Sequence, residues 1–542
     1  MIQITQLKLA YFHSAVELEN KIRKTLRLSG NQKFTYRIIK KSIDARKKPE
    51  LYLVYTVHVS CENENSIVKK AKNSSLSIVS AKKYQLPKFG EESLSAPPLV
   101  IGAGPAGLFA AFVLAEAGYK PILIERGKCV EERTKDVEKF WETGVLDTSS
   151  NVQFGEGGAG TFSDGKLNTV VKDPANRNHF VLETFVRFGA PEEILYENKP
   201  HIGTDILCEV IANMRKYIIE KGAKVYFETC AKEFIFENKQ IKKVVCENGR
   251  EFEVSSVVLA LGHSARDTFE TLHGLQVPME AKNFAVGFRV EHPQEMMNDA
   301  LYGKQKQEMP AAPYKVTANF PNGRGVYSFC MCPGGYVVNS SSEDEKLVVN
   351  GMSYSGRNSS TANSAIIVSV DQNDFMNPEF FKDGAEYLLK EADALSGMRF
   401  QQALEKRAYA LAMGKIPQQL YGDFCENRIS DSYGEFSSNT KGNTAFVNLR
   451  GLLSEDMEES FMNGMEHFAR IIPDFNRKDA ILSGIESRTS SPIRMNRDEN
   501  FESEIKGIYP CGEGAGYAGG ITSAAMDGIR VAEAIIKKYK PN

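Results

Sequence analysis

The sequence predicts an α/β fold in which a doubly wound parallel sheet is interrupted by an α+β segment and preceded by a small α+β module. A strand, a glycine turn, a helix and a second strand follow one another between Leu99 and Ile124. A strand–glycine–helix pattern returns between Gly507 and Tyr539, whereas residues from about 280 to 480 are less periodic. Because 542 residues are too many for one hydrophobic core, we expect several domains.

The composition argues against several classes of protein. With 67 Lys+Arg and 69 Asp+Glu the net charge is -2, so no global field attracts nucleic acid or an anionic membrane. The 9 cysteines are scattered, which is typical of reduced thiols rather than a disulfide framework. Lys8 interrupts the apolar stretch that a signal peptide requires, and no segment approaches 18 apolar residues. We therefore expect a cytoplasmic protein without a membrane anchor.

Residues 1–88 are predicted to form the N-terminal α+β module. Gln3–Phe12 and Leu51–Val59 have strand character, and Val16–Leu28 has apolar residues at helical spacing. Residues 82–98 then have the composition of a linker.

A basic run lies inside this module, and its members are Arg37, Lys40, Lys41, Arg46, Lys47 and Lys48, with Asp44 opposing them. We interpret the run as a solvated loop before a strand. The alternative is a face that binds RNA or a protein partner.

The segment Gly102-Ala103-Gly104-Pro105-Ala106-Gly107 matches G-x-G-x-x-G. Gly102 permits the tight turn, Gly104 lets the backbone approach a pyrophosphate, and Gly107 allows close helix–strand packing. The helix that begins here presents its N–H groups and positive dipole end to an anion. Glu125 ends the second strand, 18 positions after Gly107, where a carboxylate can accept both ribose hydroxyl protons. The pattern predicts a dinucleotide site; the alternatives are a packing turn and a surface acid.

The C-terminal segment favours FAD over NAD. In Cys511-Gly512-Glu513-Gly514-Ala515-Gly516 an acid lies between a strand and the last helix. Glu513 is placed to hold a ribityl hydroxyl, and the helix N-terminus at Ile521–Ser523 to stabilise negative charge on a reduced flavin. Two such elements at opposite ends of the chain suit one long cofactor.

At these residues the sequence resembles the FAD-dependent oxidoreductases of the glutathione-reductase-like class, and more narrowly a bacterial group of uncharacterised FAD-dependent dehydrogenases. The resemblance rests on Gly102–Gly107 with Glu125-Arg126-Gly127, on Phe154–Leu167, on Leu259–Ser264 and on Cys511–Gly520. It implies further cofactor contacts from Pro105, Ala106, Arg126, Ala231, Gly262, Gly512, Gly520 and Ile521, with Ala231 near the adenine.

The chain departs from that class in two ways. The redox C-x4-C after the first helix is absent, since Cys129 is alone there, and no second G-x-G-x-x-G follows a strand. Disulfide reduction by that route is therefore not expected. NAD(P)H would bind only transiently, as an electron donor.

Three segments carry candidate chemistry. The loop Gly155–Gly165 contains five glycines, and we select Gly157, Gly158 and Ser163 as flavin contacts and Lys166 as a catalytic residue; the alternative is an ordinary flexible loop. Cys330 and Cys332 lie one residue apart before a Pro-Gly turn, either as redox thiols over the flavin or as small buried hydrophobes.

The third segment, Glu486–Arg494, contains two arginines among hydroxyls. Arg488 or Arg494 is a candidate clamp for a carboxylate or the pyrophosphate, and a surface turn is the alternative. His263 and His292 have no partner at a catalytic spacing, so we interpret them as structural, and no spacing predicts a metal site.

The combined prediction is an FAD-dependent oxidoreductase of unknown substrate. Its doubly wound, Rossmann-like FAD domain comprises residues 96–280 and 481–542, interrupted by an α+β substrate domain over 281–480. The alternatives are a flavoprotein that binds or modifies RNA, using the basic run as its docking face, and a flavin-bound structural protein without turnover.

Overall fold

The computed structural model describes residues 1–80, 82–305, 307, 309–382 and 384–541. In the N-terminal module the elements are β1 (Ile2–Ala10), α1 (Ala15–Leu26), β2 (Phe34–Lys47), β3 (Glu50–Cys61), α2 (Glu64–Ala71) and β4 (Leu76–Ile78). The strands form an antiparallel sheet in the order β2-β3-β1-β4.

Five of the six residues of the basic run lie on strand β2 and only Lys48 follows it, so the interpretation of the run as a loop was wrong. Strand β2 pairs with β3 from Phe34 opposite Cys61 to Lys47 opposite Glu50. Tyr36 and Ile38 pack against the core of the module. Arg37, which lies between them, and Lys40, which follows them, are exposed. This alternation is the pattern of a strand with one solvated face.

The next part of the chain contains β5 (Glu92–Ser93), β6 (Leu99–Ile101), α3 (Pro105–Glu116), β7 (Ile122–Ile124), α4 (Val130–Thr143), α5 (Arg177–Arg187), α6 (Thr204–Glu220), β8 (Lys224–Tyr226), β9 (Ala231–Glu237), β10 (Gln240–Cys246), β11 (Glu251–Glu253), β12 (Val257–Leu259) and α7 (Arg266–Gly274). The predicted linker is packed rather than free, because β5 pairs with the end of the chain and Tyr84 stacks on Phe180.

The remaining elements are β13 (Met279–Ala281), β14 (Phe284–Pro293), α8 (Gln294–Tyr302), β15 (Thr317–Asn319), β16 (Gly325–Cys332), β17 (Tyr336–Asn339), β18 (Val349–Met352), β19 (Thr361–Val370), α9 (Gln372–Phe375), α10 (Ser396–Leu411), β20 (Ile416–Leu420), α11 (Tyr421–Cys425), β21 (Thr444–Phe446), α12 (Glu455–Ala469), β22 (Ile481–Glu486), β23 (Ile493–Met495), β24 (Ile508–Pro510), α13 (Ile521–Lys538) and β25 (Tyr539–Lys540).

A parallel sheet in the order β24-β12-β6-β7-β8 joins the two ends of the chain. On one face, Val100 and Val258 pack with helices α3, α6 and α13. On the other face, Leu99 and Val257 pack mainly with the antiparallel sheet β11-β10-β9 and with α7. The mixed α/β fold is confirmed, and the second face of the parallel sheet is covered by this small antiparallel sheet as well as by a helix. Strand β8 is the edge strand of the parallel sheet and pairs with β7.

The segment predicted to bind substrate is built on a sheet in the order β15-β16-β19-β14-β22-β20-β21. Strand β14 pairs along its whole length with β19, and its other edge pairs with β22. Because β22 spans Ile481–Glu486, the predicted boundary at 480 cuts through this sheet and falls too early. None of the helices formed by the described residues combines the length and hydrophobicity needed to cross a membrane.

Candidate functional site

The glycine turn between β6 and α3 needs glycine at two positions for steric reasons. Gly102 has φ of +100°, and a Cβ there would lie 2.3 Å from the Ala260 carbonyl oxygen. A Cβ on Gly107 would lie 1.8 Å from the Gly102 carbonyl oxygen. Either side chain would therefore push the first turn of α3 away from the sheet.

The loop 155–165 runs past the N-termini of two helices, α3 and α13. A Cβ on Gly104, the residue before α3, would find only the Gly158 Cα, at 3.8 Å. Further along the loop, a Cβ on Gly160 would lie 2.9 Å from Cγ1 of Ile521, the first residue of α13. Neither helix has a side-chain N-cap among the described residues, so their first N–H groups remain available to a ligand.

Glu125 holds the turn and the loop together. Its Oε2 accepts a hydrogen bond from the Ala103 N–H at 2.8 Å, and its Oε1 accepts from the N–H groups of Gly127 and Gly155, both at 3.0 Å. A carboxylate has about four acceptor positions, so three are occupied by backbone. The prediction that Glu125 accepts both ribose hydroxyl protons is therefore wrong in this geometry, since one position remains.

Arg133 is a positioning residue that the sequence analysis missed. Its fully buried guanidinium donates to the carbonyl groups of Asn151 at 2.8 Å, Val152 at 2.9 Å and Glu156 at 2.7 Å, and more weakly to that of Gly155. Burial lowers the pKa of Arg133 to about 10, which still leaves it charged at neutral pH. Arg133 lies 22 residues from Gly155 on helix α4, and no local motif marks it.

Glu156 belongs to the same loop, and its side chain points into the protein. It is buried, it accepts a hydrogen bond from the Val130 N–H at 2.9 Å, and it lies 3.2 Å from Arg215. Burial outweighs the nearby cation and raises the pKa of Glu156 to about 7. The proton on Glu156 is therefore exchangeable near neutral pH.

The C-terminal glycine segment is fixed by an ion pair. Asp527 on α13 binds Arg497 at 2.7 Å and accepts the Gly512 N–H at 2.7 Å. Gly512 was expected to contact the cofactor, but its N–H is already used by Asp527. Glu513 lies 3.6 Å from His263 Nδ1, an arrangement that the sequence spacing did not reveal.

The other predicted cofactor residues are spread along the same edge of the parallel sheet. Arg126 pairs with Asp267 at 2.9 Å and lies over the ring of Phe154 at 4.4 Å. Ala231 begins β9, and the Gly262 carbonyl lies against Gly514. Position Gly520, with φ of +92°, has open space beside it.

Cys330 and Cys332 do not share a face, because a β-bulge interrupts β16. The register with β19 shifts between Phe329 and Cys332, and Cys330 has φ of +42°. Solvent reaches Cys330, whereas Cys332 is buried. Protein nevertheless surrounds Cys330 on most sides, and this desolvation raises the pKa of its thiol to about 12. The interpretation as small buried hydrophobes fits Cys332 but not Cys330, and a reactive thiolate of Cys330 at neutral pH is not supported.

The carbonyl group of Cys330 is held by a second arginine that the sequence analysis missed. Fully buried Arg289 donates to this carbonyl at 2.8 Å and to Glu486 at 2.7 Å. Burial raises the pKa of Glu486 despite this ion pair. Arg289 thereby holds the backbone of the β-bulge at Cys330 in place.

Ser163 and Lys166 lie at the far end of the glycine loop. The Ser163 hydroxyl donates to the Gly160 carbonyl at 2.7 Å and accepts the Gly165 N–H at 3.1 Å, which closes a local turn. Lys166 Nζ lies 3.5 Å from Asp164. Its ammonium has no hydrogen-bond partner among the described residues.

Arg488 was predicted to clamp a ligand, and the structure contradicts this. Its Nε and Nη2 donate to the Glu405 carboxylate at 2.9 and 2.7 Å, and its Nη1 donates to the hydroxyl groups of Ser264 and Ser342. Arg266 binds the same Glu405 carboxylate. With these donors taken inside the protein, Arg488 links Ser264 to Ser342 and Glu405 rather than binding a substrate.

Comparison with known proteins decides the family. A family model described as "FAD-dependent protein, C-terminal domain-like" matches residues 283–489. An uncharacterised protein from Clostridium beijerinckii is 44% identical over 544 residues, covering 99% of each chain. The chain belongs to the same family as this protein, and its residues 283–489 match a domain of FAD-dependent proteins. FAD is its cofactor, and the predicted resemblance to FAD-dependent oxidoreductases is confirmed at this level.

The matched region of this FAD-dependent protein contains all the strands of the seven-stranded sheet and the separate pair of β17 and β18. The match ends at residue 489, which is a second indication that the predicted domain boundary at residue 480 falls too early. A second model, a domain of unknown function (DUF8436), matches residues 1–60.

Solved structures are only distantly similar. L-Amino acid deaminase from Proteus myxofaciens in complex with anthranilate gives a TM-score of 0.36 with 11% identity, over 86% of this chain and 96% of that chain. Glycerol-3-phosphate dehydrogenase from Bacillus halodurans complexed with FAD gives 0.34 with 13% identity, over 82% and 65%.

Proposed function

We propose that this FAD-dependent protein is an oxidoreductase that exchanges a hydride with a small-molecule substrate. The observation that carries the proposal is the glycine loop 155–165 lying beside two helix N-termini without side-chain caps. Such termini accept the negative charge of a pyrophosphate at one end and of a reduced flavin ring at the other. The bound FAD supplies the hydride chemistry.

The residues of the chain have distinct parts in this proposal. The turn at Gly104 takes the pyrophosphate, with Gly158 close on the other side. Glu125 keeps one acceptor position for the ribose, and Glu513 is available to the ribityl chain. Ile521 opens the helix that faces the ring, and the bulge at Cys330 and the side chain of Lys166 belong to the substrate side.

Anaerobic titration of the FAD-loaded protein with NADH, NADPH or a panel of reduced small molecules tests the proposal. The flavin absorbance should bleach with at least one donor and return when an acceptor is added. NAD(P)H is expected to bind transiently as donor. The proposal fails if dithionite bleaches the flavin but no biological donor or substrate does.

The alternative, an RNA-binding flavoprotein, is weakened by the partners of two residues of the basic run. Lys41 pairs with Glu197 at 2.9 Å, and its strand makes backbone hydrogen bonds with Tyr196 and Asn198. Arg46 pairs with Asp44 at 2.8 Å. Lys41 therefore attaches the module to the rest of the chain and Arg46 is paired within it, whereas Arg37 and Lys40 are exposed.

A further inference from the structure

Three segments that are far apart in sequence meet at the end of the glycine loop. They are residues 163–167, 199–204 and 353–357. Lys166 and His201 form an antiparallel backbone bridge between the first two. The Thr204 N–H donates to the Ser353 carbonyl at 3.1 Å and joins the second segment to the third.

Each segment contributes basic side chains to one place, and we name the set Lys166, Lys199, His201 and Arg357 the basic junction. Asp164 is buried inside it, 3.5 Å from Lys166 Nζ and 3.1 Å from Arg357 Nε. Asp205 lies nearby but binds the Ser355 N–H at 2.8 Å and its hydroxyl. Two lysines and one arginine therefore lie beside two carboxylates, so basic side chains outnumber acidic ones in the junction.

Burial and the neighbouring positive charges lower the pKa values of two residues of the basic junction, Lys199 and His201. The pKa of Lys199 is lowered by burial and then by the charges of Lys166 and Arg357. The pKa of His201 is lowered by burial and by Arg357, so its imidazole is neutral. Its Nε2 donates to the Ser355 carbonyl at 3.2 Å.

Lys166 provides the geometric sign of a missing partner. Its Nζ atom is shielded from solvent, yet it has no hydrogen-bond acceptor among the described residues. An ammonium group without water or a hydrogen-bond acceptor costs free energy, and the Asp164 carboxylate 3.5 Å away, which also binds Arg357, offsets only part of that cost. An anion bound between Lys166 and Lys199 would remove that cost.

The junction lies close to the proposed position of the flavin ring. The carbonyl of Leu167, next to Lys166, accepts a hydrogen bond from the Thr522 hydroxyl at 2.7 Å, in the first turn of α13.

Arg357 also lines a cavity of about 350 Å³ together with Gln294, Asn298 and Tyr302. This volume is within the range of small-ligand pockets.

We propose that the basic junction binds the negatively charged group of the substrate, which is a small organic anion. This inference rests on the proposed function and adds the substrate class to it. Carboxylates and phosphate esters share the required chemistry, and both pair with Lys and Arg. The anion would contact Lys166 and Lys199, with the rest of the molecule reaching the flavin.

The test uses the oxidised, FAD-loaded protein and follows the flavin absorbance. Benzoate, inorganic phosphate and the neutral analogue benzamide are titrated into the natural protein and into Lys199→Gln, Lys199→Arg and Lys216→Gln. Lys216 is an exposed residue of α6 outside the junction, so its variant controls for the loss of one charge.

At least one of the two anions should perturb the flavin spectrum saturably, whereas benzamide should not. Lys199→Gln should raise the Kd of that anion by about tenfold, since a charge-assisted contact is lost. Lys199→Arg and Lys216→Gln should stay within about twofold of the natural protein, because the first keeps the charge and the second lies elsewhere. Stronger binding of benzoate indicates a carboxylate substrate, and stronger binding of phosphate indicates a phosphate ester.

Three results overturn the inference: no anion binds, Lys199→Gln binds anions unchanged, or Lys199→Gln loses FAD instead. Flavin reduction is measured on the same preparations. Normal reduction without anion binding contradicts the substrate class alone, and normal anion binding without reduction contradicts the proposed function alone.

Discussion

The Oε1 atom of Glu125 lies 3.0 Å from the backbone nitrogen of Gly155 and joins the end of β7 to the glycine loop. The same carboxylate accepts the N–H groups of Ala103 and Gly127. The main role of Glu125 is thus to anchor the backbone around the glycine turn, and binding the ribose is a secondary role.

Replacing this anchor distinguishes the two roles. A glutamine keeps one oxygen but turns an NH₂ group toward backbone N–H donors, so Glu125→Gln should weaken FAD binding nearly as much as Glu125→Ala, by about tenfold or more. Fluorescence titration of the apoprotein with FAD measures this. If Glu125→Gln binds FAD as the natural protein does, the anchoring role is refuted.

Gly104→Val should abolish FAD retention. The space beside Gly104 is open apart from Gly158, and the branched side chain would occupy the position of the pyrophosphate. The protein should purify without flavin absorbance while its circular dichroism is unchanged. Gly274→Val is the control, because that exposed glycine also has open space beside it but lies at the end of α7. A yellow Gly104→Val protein would contradict the assigned site.

Arg133→Met should destabilise the glycine loop. The variant leaves buried carbonyl groups without their charged donor, which should lower the free energy of unfolding by about 3 kcal/mol and weaken FAD binding. Urea denaturation followed by circular dichroism measures the first effect. Arg187→Met serves as control, since Arg187 is half exposed and should change stability by less than about 1 kcal/mol. Equal losses in both variants would mean that the loop does not depend on Arg133.

Glu156 should make stability depend on pH. Its pKa is raised to about 7 by burial, so the folded protein binds this proton more tightly than the unfolded chain, and stability falls as pH rises from about 4.5 to 7. Glu156→Gln cannot ionise, so its stability relative to the natural protein should increase by about 3 kcal/mol across that range. Denaturation at a series of pH values measures the difference.

Glu131→Gln controls for the shared partner Arg215. Arg215 and burial act in opposite directions on Glu131, and its pKa is lowered, so the relative stability of this variant should stay nearly constant above about pH 4.5 and should change, with the opposite sign, only below it. A difference between Glu156→Gln and the natural protein that does not vary with pH would rule out a raised pKa at Glu156.

Cys330→Ser should leave flavin reduction within about threefold of the natural rate. Since the pKa of the thiol is raised to about 12, it is protonated at neutral pH and is a poor nucleophile. Stopped-flow reduction with the best donor measures the rate, and FAD binding is checked in parallel. A loss of about 100-fold or more with normal FAD binding would restore the thiol as a catalytic group.

The sequence by itself determined the glycine turn, the strands and helices on either side of it, and the cofactor. These depend on neighbouring residues: Gly102 and Gly107 are required by local backbone geometry, and α3 and α13 begin directly after glycines. Such short-range requirements are visible in a pattern of residue types.

Only the tertiary structure decided which distant side chains act on that turn. Arg133 reaches the glycine loop from another helix, Arg488 is neutralised by Glu405, and Arg357 meets Lys166 across 191 positions of the chain. The β-bulge that separates Cys330 from Cys332 likewise depends on the pairing of β16 with β19, a strand that comes later in the sequence. Long-range packing and burial set these contacts and the pKa values that follow, and local spacing does not encode them.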